Sequence, residues 1–387
     1  MCMHQEMYVK ALVLYLLTRI TCFGSHIILP IEGNVYPLGH YTVSIDIGNS
    51  ENYYVLDVDT GSDLTWVSSS GDNPYISNGK NMISCNNSAC TSLGDLRMNG
   101  EICDTSDLPC EYKVEYGDGT SYTGSLVRDS FHLMVTNISY STTMVAPNLT
   151  FGCGDSKNEE HSFHQPITDG VLGLGKGESG ILKQMYNMSL IRNVVSYCLF
   201  RRGGGFLFFG ELTDLNGITW KRLSSKEEHY SLGKANILLR GETTDIKNLS
   251  IIFDSGSTYT YFESEAYEAL LDLVNKTIDE RLIVADDDNT LPVCWKDVVG
   301  PIITFANVTN YFLPVALNFT DDANHVRFEI PPESYLIISD KHNVCLGILN
   351  GGEIGLEDVN LIGDISMQDK LVIYDNENDR VGWGDNC

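Results

Sequence analysis

Apolar and polar residues alternate in short runs along most of the chain. "HYTVSIDIG" (residues 40–48) puts Tyr41, Val43, Ile45 and Ile47 on one side of a strand. "NYYVLDVD" follows after a short polar turn at Asn49-Ser50, so the pair reads as a hairpin. Comparable runs are "YKVEYGDGTSYTG", "GFLFFGEL", "IIFDS", "RFEIPPESYLII" and "KLVIYDNENDRVGWG", separated by Gly, Asn and Asp. The pattern is that of an all-β chain. A long helical period appears from Glu265 to about Leu282, with Ser264 as a cap and Tyr267, Leu270, Leu271, Val274 and Ile278 along one face. A shorter helix is expected around Ile181 to Met188. Both read as covers on sheets.

One repeat stands out. "YYVLDVDTGSDLTWV" (Tyr53 to Val67) and "SIIFDSGSTYTYF" (Ser250 to Phe262) are apolar runs that end in Asp, a small hydroxyl residue, Gly and Ser. Their aspartates, Asp59 and Asp254, are 195 positions apart. A chain of 387 residues exceeds what one core usually holds, so two domains are expected. The stretch "RRGGGFLFFGEL" (Arg201 to Leu212) lies between the two copies. Its glycines lack the GxGxxG spacing and a following helix, so a tight turn before a strand is the better reading than a nucleotide loop.

Composition narrows the partners. A formal net charge of −27 excludes a general nucleic-acid binder and disfavours anionic membrane surfaces. Solubility, or work at acidic pH, accounts for the acidity. Residues 1–25 read as a secretory signal: Lys10 precedes an apolar run from Ala11 to Leu17, and Gly24 and Ser25 follow, although Glu6 and Arg19 break the pattern. The run is too short to span a bilayer, and no hydrophobic tail closes the chain, so no stable membrane anchor is expected. Cleavage near residue 25 leaves about a dozen residues before the first strand, too few for a basic segment covering a cleft. Glycosylation sequons begin at Asn86, Asn137, Asn148, Asn187, Asn248, Asn275, Asn307 and Asn318. A shuffled chain of this composition would carry roughly four, so the excess favours a glycosylated product of the secretory pathway, extracellular or vacuolar. The cysteines beyond Cys2 and Cys22 have no Cys-x2-Cys pair or His cluster, so disulfides are expected and no metal.

The two Asp loops carry the chemistry. One Asp-Thr-Gly-Ser alone is usually just a strand end. Two copies can meet about a pseudo-twofold axis and bring two carboxylates together. Carboxylates in contact cannot both be charged, so one keeps its proton; the aspartic-protease dyad is a standard example. One group can then take a proton from water while the other polarises a carbonyl. Such chemistry requires no cofactor. No Ser-His-Asp triad is read from the sequence and no GxSxG is present, so a serine hydrolase is disfavoured.

From Gly33 to Cys387 the chain resembles the pepsin-type aspartic proteases, and within them the plant nucellin-like group. The segments "DVDTGSDLTWV" and "FDSGSTYTYF" carry the resemblance. It implies a bilobal β fold with a cleft between two pseudo-twofold-related lobes (26–212 and 213–387) and a few short covering helices. Asp59 and Asp254 would be the catalytic pair. Thr60 and Ser255 would cross-link the loops, Gly61 and Gly256 would complete them, and Ser62 and Ser257 would hydrogen-bond the carboxylates. "EYGDGTSYTG" resembles the flap hairpin, with Tyr116 as its tyrosine, Gly117, Asp118 and Gly119 at its tip, and Trp66 supporting it. "DGVLGLGKG" and "NLIGDISMQDKLVIYD" resemble the structural segments behind each Asp. The resemblance pairs Cys294 with Cys345 and Cys198 with Cys387. It leaves Cys85, Cys90, Cys103 and Cys110 to pair among themselves in one of three ways. Cys153 is left over, because "SSSGDNP" stands where relatives carry cysteines. The function implied is a monomeric aspartic endopeptidase cutting extended peptides at acidic pH; the alternative is a non-catalytic, glycosidase-inhibitor-like binding protein on the same fold.

Overall fold

The computed structural model describes residues 25–48, 53–77, 79–98, 108–117, 119–137, 141–156, 168–212, 216–224, 229–302, 304–320, 326–385 and 387. The signal (save Ser25), the turn at Asn49-Ser50, Cys103 and Asp118 lie outside them.

Alternation builds the strands as expected. In His40–Ile47 the side chains of Tyr41, Val43, Ile45 and Ile47 are buried. They pack with Leu56, Val58, Phe131 and Phe151. Each such side chain removed from water contributes about 1.5–3 kcal/mol. The strands form sheets of 14, eight and four members. The largest takes its strands mainly from the first half. It also contains the hairpin of Leu371–Asp375 and Arg380–Gly384, which pairs with Val194–Leu199. The eight-stranded sheet is drawn from residues 231–362, and the smallest from residues 282–346. The architecture is the all-β one expected, with few and short helices.

Both Asp-containing strands have the same surroundings. Residues 56–59 pair in parallel with Gly170–Gly173, which pairs antiparallel with Trp66–Ser68. In the second half, residues 251–253 pair in parallel with Asn360–Ile362, which pairs antiparallel with Thr260–Phe262. A strand, its outgoing turn and a parallel return strand thus make one unit, used twice. Gly203 and Gly204 take positive φ and form the expected turn into Gly205–Phe209.

The long helix differs from the sequence reading. It runs Ser264–Thr277, with Glu263 at the N-cap position. The Ser264 hydroxyl does not cap it but donates to Asn350 Oδ1 at 2.8 Å. Ile278 is already extended, and Leu282 opens the strand Leu282–Val284. Leu282 is buried as a strand residue, which is why the apolar period outlasts the helix. Ala266, Tyr267, Leu270 and Val274 form the buried face, with Leu271 and Ile278 only half-buried at its margin. The second helix, Ile181–Asn187, is close to its expected span.

Disulfides join Cys198 to Cys387, Cys294 to Cys345 and Cys90 to Cys110. The last removes a local Cys85–Cys90 link from the three open pairings; Cys85 is itself disulfide-bonded. Cys153 is half-buried and in no disulfide, its Sγ 3.9 Å from the Tyr75 carbonyl. Among the described residues, the one cluster of metal-ligand type is Asp288 with Cys294 and Cys345. Both sulfurs are in a disulfide and offer no thiolate. No helix among the described residues is long and apolar enough to cross a membrane.

Candidate active site

The strand Tyr53–Asp59 is anchored on both sides of the sheet and delivers Asp59 to its end, 5% exposed. Leu249–Phe253 likewise delivers Asp254. The turns that follow are locked to each other. Thr60 N–H donates to Ser255 Oγ at 3.1 Å, and Ser255 N–H donates to Thr60 Oγ1 at 2.9 Å. The Ser255 hydroxyl donates onward to the Val58 carbonyl at 2.8 Å. The Thr60 hydroxyl points elsewhere, to Tyr374 Oη at 3.4 Å. All four groups are buried, so these bonds are not exchanged with water.

Each carboxylate is held within its own loop. Asp59 accepts from Gly61 N–H at 2.8 Å and from the Ser62 hydroxyl. Asp254 accepts from Gly256 N–H at 2.9 Å and from the Ser257 hydroxyl at 3.0 Å. Each glycine also lies against the opposite carboxylate. A Cβ on Gly61 would stand 2.6 Å from Asp254 Oδ1, and one on Gly256 would stand 2.4 Å from Asp59 Oδ1. Only glycine admits that approach. The structure therefore brings Asp59, Thr60, Gly61, Ser62, Asp254, Ser255, Gly256 and Ser257 together.

Burial, and then Asp254, push the Asp59 carboxyl up to about 7. Two further acidic groups lie close by. Asp364 is fully buried and raised well above the usual carboxylate range, first by burial and then by Asp254, Asp57 and Asp59. Asp57 is raised by burial, partly offset by the Thr168 hydroxyl at 3.0 Å and by His40. Sequence reading left Asp364 in a purely structural segment and gave Asp57 no role. A polar residue inside an apolar run was the available signal for Asp57. The Asp364 segment does buttress its loop: Asp364 N–H donates to the Ser257 carbonyl at 2.8 Å.

The hairpin of Glu111–Glu115 and Ser121–Thr136 overhangs the first loop. Tyr116 N–H donates to Thr120 O, and Gly119 N–H to Tyr116 O, each at 2.9 Å. Gly119 has φ 83°. Trp66 Nε1 donates to Tyr116 Oη at 2.7 Å, and the Tyr122 ring stacks on Trp66 at 4.2 Å. Burial, then the nearby Asp59, raise the Tyr116 phenol further, so it stays a neutral donor. Gly117 sits at the start of the tip with open space around it.

Of the sequon asparagines, Asn86, Asn148, Asn187, Asn248 and Asn275 are exposed, and Asn137 and Asn318 are half-buried. The Asn307 side chain lies outside the described residues.

Comparison with known proteins bears on the family and the fold. Residues 41–211 match the family profile described as "Xylanase inhibitor N-terminal", and residues 229–385 match "Xylanase inhibitor C-terminal". An aspartic proteinase of Oryza sativa subsp. japonica is 36% identical over 391 residues, spanning 96% of this chain and 93% of the relative. The chain belongs to the pepsin-type aspartic proteinase family. Within the family, aspartic proteinase 36 of Arabidopsis thaliana is 26% identical over 399 residues, 94% of this chain and 78% of that one. Among solved structures, basic 7S globulin from soybean matches with a TM-score of 0.72 at 16% identity, over 93% of this chain and 95% of that one. The aspartic proteinase from Irpex lacteus matches with a TM-score of 0.62 at 16% identity, over 93% and 97%. At such identities these likenesses speak for the pepsin-like fold alone.

Proposed function

We propose that this family member is an active aspartic endopeptidase, with Asp59 and Asp254 as its catalytic pair. One observation carries the reading: each carboxylate is fixed by its own loop while the glycine of the opposite loop lies against it. The pair shares one proton, which burial favours on Asp59. Asp254 then takes a proton from a water, whose oxygen attacks the peptide carbonyl carbon. Asp59 gives its proton to the carbonyl oxygen, forming a neutral gem-diol. Collapse of the diol breaks the C–N bond as the departing nitrogen is protonated, and the dyad returns to its starting charge. The substrate would be an extended peptide held under the hairpin that bears Tyr116, Gly117, Asp118 and Gly119.

The lobes 26–212 and 213–387 would form the two walls of the cleft. A signal over 1–25, the disulfides and the exposed sequons support passage through the secretory pathway to the exterior or a vacuole. A monomer suffices for this chemistry, since one chain supplies both aspartates.

The second reading is a non-catalytic binding protein. The descriptions of the matching family profiles favour it. Cleavage of a denatured protein near pH 4, with and without a statine-type inhibitor, separates the two. Inhibitor-sensitive cleavage that Asp59→Ala abolishes is expected. Equal cleavage by the variant would overturn the mechanism, and no cleavage by the folded wild type would favour the binding protein.

A further inference from the structure

We propose that Ser130, His132 and Asp46 form a second, serine-type hydrolytic site on the outer face of the 14-stranded sheet, independent of the aspartate dyad. Ser130 and His132 are two residues apart in the strand Ser121–Thr136, so their side chains share a face. Phe131 and Leu133 point the other way, into the core. His132 pairs directly with Asp46 across the antiparallel ladder. These placements align three side chains in the order nucleophile, base and acid. Ser130 Oγ is 3.3 Å from His132 Nε2, and His132 Nδ1 is 3.5 Å from Asp46 Oδ2. The two-residue spacing within one strand supplies the serine–histidine pair, and the sheet register adds Asp46.

The roles follow from the partners. With Nδ1–H directed at Asp46, Nε2 carries the lone pair that faces the Ser130 hydroxyl. That is the tautomer a general base requires. The other acceptor near Ser130 Oγ, the Gly48 carbonyl, is farther away at 3.5 Å. Asp46 Oδ1 is buried without a hydrogen-bond partner, so its charge is left to the imidazole. The Asp46 and His132 side chains are 23% and 31% exposed, which leaves the site open to a small reagent. All three stand on paired strands, which hold them more firmly than loops would.

Space and an oxyanion donor adjoin the triad. Asn148 lies directly opposite Ser130 in the neighbouring strand, and cross-strand neighbours are within ~5 Å at Cβ. Its exposed side-chain amide can donate to a developing oxyanion. A glycan on Asn148 would leave one amide N–H for that task. Asn148 also lines a cavity of about 630 Å³, with Arg128, Thr150, Gln184 and Met188. This mainly polar cavity suits the acyl part of a small polar ester. In the step proposed, Ser130 Oγ bonds to the ester carbonyl carbon and its proton passes to His132 Nε2. The ester C–O bond breaks, and the leaving alkoxide takes that proton. Water repeats the sequence on the acyl-serine, so ester and water give acid and alcohol.

The test uses the full chain carrying Asp59→Ala, so that the dyad is silent. It is treated at pH 8 with a fluorophosphonate, which transfers its phosphonyl group to an activated serine with loss of fluoride. The modified peptide is then identified by mass spectrometry. Hydrolysis of p-nitrophenyl acetate is followed in parallel. The expected result is an adduct at Ser130, absent in Ser130→Ala and formed at least tenfold more slowly in His132→Gln and Asp46→Asn. Thermal melting of each variant checks folding; Ser130→Ala removes one half-buried hydroxyl and is the arm least able to unfold. Absence of the adduct from folded protein would overturn the proposal, as would labelling as fast in His132→Gln as in its parent. Peptidase assays at pH 4 on the otherwise wild-type chain judge the dyad separately, and Ser130→Ala should leave that activity intact.

Discussion

Gly61 lies against the carboxylate of Asp254, near enough that a Cβ would stand 2.6 Å from Oδ1. Gly61→Ala should therefore push the two loops apart rather than fill empty space. We expect kcat/KM on a peptide substrate to fall at least 100-fold. The far-UV circular dichroism should stay unchanged, because the strain is confined to the turn. Full activity in this variant would mean that the loops separate freely in solution.

The bond from Trp66 Nε1 to Tyr116 Oη ties the overhanging hairpin to the first loop. Tyr116→Phe keeps the ring and removes the acceptor, leaving a buried indole N–H unpaired at a cost of about 1–3 kcal/mol. The loss should fall on the closed, substrate-covered state. A drop of roughly tenfold in kcat/KM is expected, with a small change in melting temperature. Steady-state kinetics beside calorimetry would separate the two effects.

Buried acids give stability an unusual pH dependence. Asp59, Asp364 and Asp57 all have carboxyls raised in the folded chain, chiefly by burial. Between the unfolded value near 4 and the folded value of Asp59 at about 7, the folded state binds more protons than the unfolded one. Stability from these groups is therefore full below about pH 4 and is lost as pH rises through 7. Thermal melts should show a midpoint several degrees higher at pH 4.5 than at pH 7.5. Asp59→Asn and Asp364→Asn should each flatten that difference; an unchanged slope in both would contradict the assignment.

Asp288 behaves oppositely. Burial would raise its carboxyl, but hydrogen bonds from Ser339, Thr290 and Asn343 outweigh it and hold the group well below the usual range. The bonds measure 2.6 Å from Ser339, 2.7 Å from the Thr290 hydroxyl and 2.8 Å from Asn343. Asp288→Ala strands those donors and should cost about 3 kcal/mol. Chemical denaturation would report it as a lower midpoint with unchanged slope.

The Cys198–Cys387 bridge closes a loop of 189 residues. On the loop-entropy account such a closure stabilises by at most about 5 kcal/mol. Cys198→Ser with Cys387→Ser should lower the melting temperature markedly. Cys153→Ser, which removes no bridge, should change it little.

The dyad was legible because its chemistry is local: each loop writes Asp, hydroxyl, Gly and Ser within four residues, and the repeat pairs them. Trp66 and Tyr116 were legible only through the family resemblance, since nothing local joins residues 50 positions apart. Asp364 was not grouped with the dyad because strands far apart in sequence bring it there; Asp57 stands only two residues before Asp59 in one strand, and its polar position in an apolar run was passed over. The overlong helix came from reading one apolar period through Ile278 to Leu282, where burial continues but the backbone changes. Ser130 and His132 stand two residues apart in one strand, but Asp46 joins them only through strand register, which no local pattern states. The missing cysteines after Trp66 leave Cys153 as a thiol, and the strands around it are nonetheless fully paired, Cys153 with both Val67 and Ser125.

The strand Val194–Leu199 finds one neighbour at once, in Gly205–Phe209, but its other neighbour is Leu371–Asp375. During synthesis that second edge stays bare while some 170 residues follow. An unpaired apolar edge of that kind can join to another chain. Correct folding thus becomes a matter of timing: the edge is open to wrong partners until Leu371–Asp375 emerges. Oxidation of Cys198 must wait for the same moment, since its proper partner is Cys387.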